Sequence, residues 1–582
     1  DCPFRDFLKK GGNTDDLTSE PRCCAQTPFA SMQLRGWRLM RVMQKSSTYG
    51  GGELLLTWAR AYDATREERF ARKAREAFLA LADRFPRYVY CRSFGCGEED
   101  PLLGREDLPG RVMNTCRLGV GGWLAESWAF REVVMPAYDL VASSACFTQE
   151  DRDFIENNLL WAMDDDILME SGGTHALGGN QPNEGVAFTR LGLTTGDSAI
   201  VDHVKDRLQH LPDLTEDGVP WQKTITWAYT GSFYDFVDLC RMLRESGVDV
   251  RNNATLRKVL AVFPLMGFRD GQLPQMGVGG ELYSGRTFYE SPPDTGLRVQ
   301  KHLSGRVYEG LKLGEELWGG EFARFREYAD ARQKGAYPPD WRLPSVNFED
   351  TGLAMLRGTG ENPMEVFFSY LRRRDAESLS CFLTFFLYGN GEILSYVPIA
   401  DDWPGGRYAS PYAWGYARGA HATVCKNFVN LDERGTSLTP CQFVHWEDSP
   451  DLKVNWGASE GYYPGVRGER TLLLAGKYLV DFFRCASDAE HTMDWQFHSV
   501  GRLALPDDVE LRPQEKPLVE ARLGTGGGYE FLRQIRRAQA RGVTRAEWTV
   551  TPENRLRAFV AALPGDEWIA AKLPMFYDDK ER

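Results

Sequence analysis

A change of hydrophobic period near the middle of the chain constrains the fold more than any other feature. Before residue 336, apolar residues recur at spacings of three and four with charged residues between them, the pattern of amphipathic helices. After residue 345, short β-branched and aromatic runs alternate with turn residues, the pattern of antiparallel strands. The segment Tyr337–Pro344 between them carries three prolines and reads as a linker. We therefore predict an α+β multidomain chain.

The first part is predicted to stack helices in antiparallel pairs that close into an incomplete (α/α) toroid. Its predicted helices are 51–64, 66–85, 125–141, 148–170, 183–193, 198–211, 231–246, 253–266 and 311–333. The second part is predicted to form an antiparallel β-sandwich, because many short strands pack in two layers. Its predicted strands are 351–357, 364–371, 379–387, 392–396, 421–427, 442–446, 470–474 and 478–485. The predicted domains are 1–336 (toroid), 345–505 (sandwich) and 506–582 (a C-terminal β extension).

Composition excludes several classes of function. The net charge of −13 provides no global field that attracts nucleic acid. No stretch approaches about 18 apolar residues, so no transmembrane helix is expected. The first residues carry neither an initiator Met nor a signal peptide, which suggests a processed chain. Aromatic residues make up 12% of the chain, with 16 Trp, which suits packed helices and also suits sugar rings stacking on aromatic faces.

A glycine-rich loop between two predicted helices is the first candidate for a site. Residues 171–185 hold five glycines together with His175, Asn180, Gln181, Asn183 and Glu184. Glycine lets backbone approach a ligand closely, while amide, imidazole and carboxylate groups orient a polar substrate. The alternative is an ordinary helix-capping turn in which Asn183 and Glu184 start the next helix.

Two aromatic segments are further candidates. Residues 217–236 bring Trp227, Tyr229, Phe233 and Tyr234 together at the start of a predicted helix, and a tyrosine there could act as a general acid or base. Tyr416 and Arg418 precede His421 at the start of a predicted strand, while His498 alternates with apolar neighbours and suits a structural role. For the remaining histidines, no neighbouring polar residues in the sequence indicate a functional site. These are His203, His210, His302, His445 and His491.

At these motifs the chain resembles the heparinase II/III-like polysaccharide lyases, which have an N-terminal (α/α) toroid and C-terminal antiparallel sheets. The resemblance covers roughly residues 50–500 and lies in order and local pattern. It implies that Asn180 neutralises the substrate carboxylate and that Tyr234, 54 positions later, acts as acid or base, with Tyr229 as the rival in register. His421, in a His-Ala-Thr-Val motif, is implied as the other base. Substrate-binding residues are implied at Gln181, Glu184, His175, Tyr416 and Arg418.

Two departures from the family pattern bear on the site. Gln181 stands where relatives carry a His beside the Asn, so the toroid is not expected to supply a catalytic histidine. The segment 371–379 lacks the histidines of the family's metal cluster, so no structural zinc and no required cofactor are expected. A different cation on Asp375 or Glu377 stays open.

The resemblance implies a secreted or periplasmic bacterial lyase that cleaves a uronic-acid polymer by β-elimination, glycosaminoglycan first and alginate second. Its expected partner is an acidic polysaccharide, and its oligomeric state is open. Three alternatives stay open beside it. A uronate C5-epimerase would begin with the same proton abstraction, and a toroid glycoside hydrolase would use two carboxylates among Asp217, Asp235 and Glu184. A non-catalytic sugar-binding protein would need neither the proton abstraction nor the pair of catalytic carboxylates.

Overall fold

The structure is a computed structural model that describes part of the chain. The described residues are 54–87, 91–92, 115–116, 130–170, 182–209, 215–219, 237–269, 274, 310–333, 343–360, 363–372, 382–395, 423–436, 439–499, 501–506, 508–515, 518, 529 and 532–572. They belong to two compact units. Unit 1 comprises residues within 1–211 and 235–253, and unit 2 comprises residues within 212–234 and 254–582.

Unit 1 is built from helices in its described part, apart from the short antiparallel pair β1 (Cys91–Arg92) and β2 (Thr115–Cys116). Its α-helices are α1 (Leu54–Thr65), α2 (Glu68–Arg84), α3 (Met135–Val141), α4 (Gln149–Ile155), α5 (Trp161–Glu170), α6 (Pro182–Thr195) and α7 (Ser198–Gln209). Residues 237–245 are also helical. The predicted helix 148–170 forms, as α4 and α5 joined by a π-helical turn at Glu156–Leu160.

Helices α2, α3 and α4 share one apolar core with a polar clasp at its margin. The rings of Phe78 and Tyr138 meet edge to face with centroids 5.4 Å apart, and both residues are fully buried. At the margin, Arg75 donates from Nε and Nη2 to the two carboxylate oxygens of Asp151, at 2.8 and 2.7 Å. Asp151 also forms a capping box with Thr148 at the start of α4. These contacts fix how α2 and α4 pack.

Unit 2 combines helices with antiparallel strands. Its helices are α8 (Ala254–Met266) and α9 (Gly320–Gln333), and residues 310–318 are also helical. Its first strands are β3 (Val346–Phe348), β4 (Leu353–Arg357), β5 (Met364–Tyr370), β6 (Phe382–Gly389), β7 (Glu392–Ile393) and β8 (Val429–Leu431). Next come β9 (Gln442–Asp448), β10 (Lys453–Tyr463), β11 (Val466–Ala475), β12 (Tyr478–Ser487) and β13 (Met493–Trp495). The last are β14 (Arg502–Ala504), β15 (Arg512–Pro513), β16 (Arg533–Gln539), β17 (Val543–Thr549), β18 (Arg555–Ala561) and β19 (Glu567–Lys572).

Strand neighbours follow chain order in the two main sheets of unit 2. The orders are β3-β4-β5-β6-β7 and β12-β11-β10-β9, each pair antiparallel. Strand β8 pairs with β13, and the C-terminal strands form the smaller sheets β14-β17-β18 and β15-β16-β19. A Cβ built at Gly457 of β10 would lie 2.6 Å from the Cβ of Tyr370 in β5, so this glycine permits the close approach of the two main sheets.

The core of unit 2 lies along β4, β5 and β6, in which nearly every residue is buried. Phe268, just after α8, stacks on Tyr388 of β6 with centroids 5.3 Å apart. Buried Arg357 of β4 donates from Nη2 to the carbonyls of Leu265 and Gly267, at 2.8 and 2.7 Å. Helix carbonyls at a C-terminus carry partial negative charge, so this guanidinium holds α8 against the sheet.

The predicted α+β class is confirmed, and the C-terminal tail forms strands as predicted. The predicted strand at 421–427 is wrong in its described part. Thr423–Cys425 forms a 3-10 turn, and the next strand, β8, begins only at Val429. The toroid, the sandwich and the domain boundaries stay predictions.

Candidate functional site

Most of the predicted site residues lie outside the described residues. These are His175, Asn180, Gln181, Tyr229, Tyr234, Tyr416, Arg418 and His421, and with them the candidate metal ligands Asp375 and Glu377. Glu184 lies in the first turn of α6, although its side chain is outside the description. Glu184 is therefore placed on a helix, as predicted, while its role stays a prediction.

The described ends of the glycine-rich loop are both helical. Helix α5 runs to Glu170, and α6 begins at Pro182, a residue whose fixed φ suits the first helical position. Residues 185–189 of α6 are all buried. This burial holds α6 in the core of unit 1, while residues 171–181 lie outside the described residues.

The turn that precedes the Tyr-bearing segment is tied to the sheet of unit 2. Thr351, in the β3–β4 turn, donates from its backbone N and from Oγ1 to Oδ2 of Asp217, at 2.8 and 3.0 Å. The hydroxyls of Thr215 and Thr351 lie 2.9 Å apart, and the amide of Glu216 donates to Asp350 at 2.9 Å. Burial raises the pKa of Asp217, against the opposing effect of the Thr351 hydrogen bonds. The Asp217 carboxyl group therefore has a structural role, because it accepts the hydrogen bonds that hold its own turn against the β3–β4 turn.

Asn427 organises the segment that follows the proposed base His421. Its Oδ1 accepts from the amide of His498 at 2.7 Å, and its Nδ2 donates to the carbonyl of Phe385 at 2.8 Å and to the Ser395 hydroxyl. Its own carbonyl accepts from Thr384 Oγ1 at 3.1 Å. The side chain thus makes the kind of hydrogen bonds that a strand backbone would make, which is why the chain can turn here instead of pairing.

Two buried polar atoms in this neighbourhood have no hydrogen-bond partner. Lys426 is 1% exposed, and neither its Nζ nor Nε2 of His498 contacts an acceptor or donor in the part of the chain that the structure describes. Burial lowers the pKa of His498 to about 4, with the nearby Lys426 charge acting in the same direction and a Val424 backbone hydrogen bond opposing it. His498 is therefore neutral near pH 7. Buried polar groups are nearly always paired, so these two atoms call for an explanation.

His491 lies in a hydrogen-bonded series that the sequence pattern did not indicate. Its Nδ1 is 2.7 Å from Oδ2 of Asp432, and its Nε2 is 3.0 Å from Oγ of Ser487. Sequence pattern did not show these partners because Asp432 lies 59 positions away in the chain, and the prediction that His491 marks no functional site stays a prediction. The order matches a Ser-His-Asp triad, but Ser487 Oγ also accepts from the amide of Ala489, and Asp432 is 37% exposed. We interpret these hydrogen bonds as a structural link between the β12–β13 connection and the turn after β8.

Neither a metal cluster nor a membrane span is found in the described ranges. No group of three or more His, Cys, Asp or Glu side chains there is arranged to hold a metal ion. No helix among the described residues is long and apolar enough to cross a membrane.

Solved structures of lyases have a similar fold. A heparinase III with methylated lysines aligns with a TM-score of 0.56 at 13% identity, covering 97% of this chain and 80% of that chain. A mutant of heparan sulfate lyase HepC from Pedobacter heparinus aligns with a TM-score of 0.54 at 13% identity, covering 98% and 82%. No model of a protein family matches the sequence, and no curated protein matches it. The resemblance predicted from the sequence is thus confirmed at the level of the fold.

Sequence reasoning missed Lys426 as a candidate, although a signal for it exists. Lys426 stands among the apolar residues Val424, Cys425, Phe428 and Val429, and lysine is almost never fully buried without a partner. A lysine inside an apolar run that enters a sheet is therefore worth testing as a functional residue.

Proposed function

We propose that this protein is a polysaccharide lyase that cleaves a uronic-acid-containing polysaccharide by β-elimination. The likeness to heparinase III and heparan sulfate lyase carries the proposal, because it extends over nearly the whole chain. In this proposal the helices form an incomplete (α/α) toroid, the main sheets form a β-sandwich, and the protein acts as a secreted or periplasmic enzyme.

The chemistry requires the C5 proton of a uronic acid to be removed. This proton is weakly acidic, because its conjugate base must spread negative charge onto the carboxylate. A donor on that carboxylate stabilises the enolate-like state. We assign this role to Asn180, with Gln181 next to it in the sequence, in the segment between α5 and α6.

Tyr234 and His421 are the proposed acid and base. One of them takes the C5 proton, and the tyrosine returns a proton to the O4 that leaves, so that a C4–C5 double bond forms as the C4–O4 bond breaks. The partly buried hydrogen bonds between Thr351 and Asp217 support this assignment, since they anchor the chain just before the Tyr-bearing segment. Tyr229 is the rival for the role of Tyr234.

The proposed substrate is a glycosaminoglycan, with alginate as the second choice. Both solved structures are of enzymes that act on heparin-type polymers according to their names. The proposed substrate-binding residues of this chain include Arg418 and Tyr416, which suit an acidic sugar. Glu184 and His175 are proposed to contact the neighbouring sugars. No divalent cation is proposed as a requirement.

A toroid glycoside hydrolase is less well supported. It needs two carboxylates across a cleft. One of the three available carboxylates, Asp217, is already taken up by the backbone and hydroxyl of Thr351. A uronate C5-epimerase shares the first chemical step and differs only in its product.

A screen over uronate polysaccharides tests the proposal. Purified protein is incubated with heparan sulfate, heparin, chondroitin sulfate, hyaluronan and alginate, and the ultraviolet absorbance of unsaturated products is followed. A lyase increases this absorbance on at least one polymer. New reducing ends without the absorbance would indicate a hydrolase, and exchange of the C5 proton with solvent deuterium without chain cleavage would indicate an epimerase.

A further inference from the structure

The segment 423–430 lies in a polar network inside unit 2 in which almost every buried group is paired. Thr423 Oγ1 accepts from Asn430 Nδ2, and Asn430 Oδ1 accepts from the hydroxyl of Tyr463 at 2.9 Å. The Asn427 side chain is paired on both its oxygen and its nitrogen. Against this background, Nζ of Lys426 is an exception, because it has no hydrogen-bond partner among the described residues.

The other buried cations of unit 2 show how such charges are normally held. Arg470 is fully buried and donates to both oxygens of Asp481, at 2.8 and 2.6 Å. Lys453 is 7% exposed and lies 2.5 Å from Asp448. Arg357 binds carbonyl oxygens. Lys426, at 1% exposed, has no such acceptor among the described residues.

An ammonium that is removed from water without an acceptor is expensive in free energy. A protein tolerates such a group when a ligand supplies the missing negative charge. Beside Lys426, the His498 ring is neutral near pH 7, so it adds no charge that would balance or repel an anion. Its Nε2 has no described partner, but the Val424 backbone contact favours the proton on the other ring nitrogen, so Nε2 of the neutral ring accepts hydrogen bonds and does not donate to an anion.

We propose that Lys426 forms an oxyanion subsite for the carboxylate or sulfate group of an acidic saccharide. The inference rests on the proposed function, since Lys426 follows the proposed base His421 by only five positions in the chain. Lysine binds oxyanions as a point charge, so one site suits either a carboxylate or a sulfate.

The side chain of Lys426 is suited to reach such a ligand. Its four-carbon stem is flexible, so Nζ can change position by rotation about its χ angles. Because Nζ makes no described hydrogen bond, this movement breaks none. The role of Lys426 in this proposal is therefore to bind a ligand and not to stabilise the fold.

Replacement of each buried lysine by methionine separates the two roles. Lys426→Met removes a buried amino group that has no acceptor among the described residues and keeps the side-chain volume, so its Tm should equal or exceed that of the wild type. The matched control Lys453→Met removes a paired charge, so its Tm should fall. Thermal stabilisation by sodium glucuronate and by inorganic sulfate is then measured for the three proteins at constant ionic strength.

We expect Lys426→Met to lose affinity for the anion that stabilises the wild type by about tenfold or more, the size expected for a charge-assisted hydrogen bond. Lys453→Met should keep that affinity. On the polymer that the wild type cleaves, Lys426→Met should raise KM with little change in kcat. Stabilisation by glucuronate alone assigns the site to carboxylate, and stabilisation by sulfate alone assigns it to sulfate.

Two outcomes would overturn the subsite. One is a wild type that neither anion stabilises, and the other is a Lys426→Met protein that binds the anion as the wild type does. Failure of the proposed function appears separately, as a wild type that binds the anion but forms no unsaturated product on any uronate polymer.

Discussion

Arg470 of β11 and Asp481 of β12 form a two-point ion pair, with Nε–Oδ1 at 2.8 Å and Nη2–Oδ2 at 2.6 Å. The remaining nitrogen of Arg470 donates to the carbonyls of Leu383 and Asn427, both at 2.7 Å. The guanidinium also lies 4.4 Å from the ring centroid of Phe385. One buried side chain therefore joins β6, β11 and β12 to the segment that follows the proposed base.

Removal of the carboxylate should be strongly destabilising. Asp481→Ala leaves the Arg470 charge buried without its partner, so the free energy of unfolding should fall by about 3–5 kcal/mol. Denaturant titration measures this change. The control is Arg467→Met, because Arg467 is 45% exposed and its pair with Glu469 should contribute at most about 1 kcal/mol. Equal effects of the two substitutions would contradict the structural role given to Arg470.

Tyr234→Phe should abolish turnover while leaving the fold intact. The substitution removes only the hydroxyl that is proposed to transfer protons, so kcat should fall by about 10²-fold or more on the polymer that the screen identifies. Tyr229→Phe is the matched control within the same aromatic segment. A reversal of the two results would assign the role to Tyr229. Full turnover in both Tyr234→Phe and His421→Ala would refute the site assignment.

Asp217→Asn should be nearly neutral for both stability and turnover. The amide oxygen can still accept from the Thr351 amide, and burial already raises the pKa of the Asp217 carboxyl, which reduces the advantage of a charged group there. Asp217→Ala removes the acceptor and should lower the free energy of unfolding by about 1–3 kcal/mol. If Asp217→Asn stops glycan cleavage while its unfolding curve stays unchanged, Asp217 acts as a catalytic carboxylate and the hydrolase alternative gains support.

His498 should make stability depend on pH in the mildly acidic range. Its folded-state pKa of about 4 lies below the ordinary value near 6.5, so the unfolded chain binds the proton more readily. The contribution of neutral His498 is complete above about pH 6.5 and is lost as the pH falls toward 4. Chemical denaturation at several pH values in this range measures the free energy of unfolding. This free energy should change less with pH in His498→Gln than in the wild type. His445→Gln, at an exposed position, should keep the wild-type dependence on pH.

Local sequence pattern predicted the type of most elements because period reflects the buried face of each segment. The three- and four-residue spacing before the linker gives helices such as α2 and α6, and the apolar and aromatic runs after it give β4, β5 and β6. The segment 421–427 shows the limit of that reasoning. Its β-branched and apolar residues resemble a strand, but the Asn427 side chain bonds with Phe385 and His498, so the chain turns at 423–425.

The sequence by itself determined the α+β class, the positions of most helices and strands, and the family resemblance that points to Asn180, Tyr234 and His421. The tertiary structure decided which charges have partners. Arg470 and Asp217 are held by Asp481 and Thr351, whereas Lys426 lacks any described acceptor. Hydrophobic period is a property of neighbouring residues, but the pairing of a buried charge depends on residues brought together from distant positions, Asp217 and Thr351 being 134 apart.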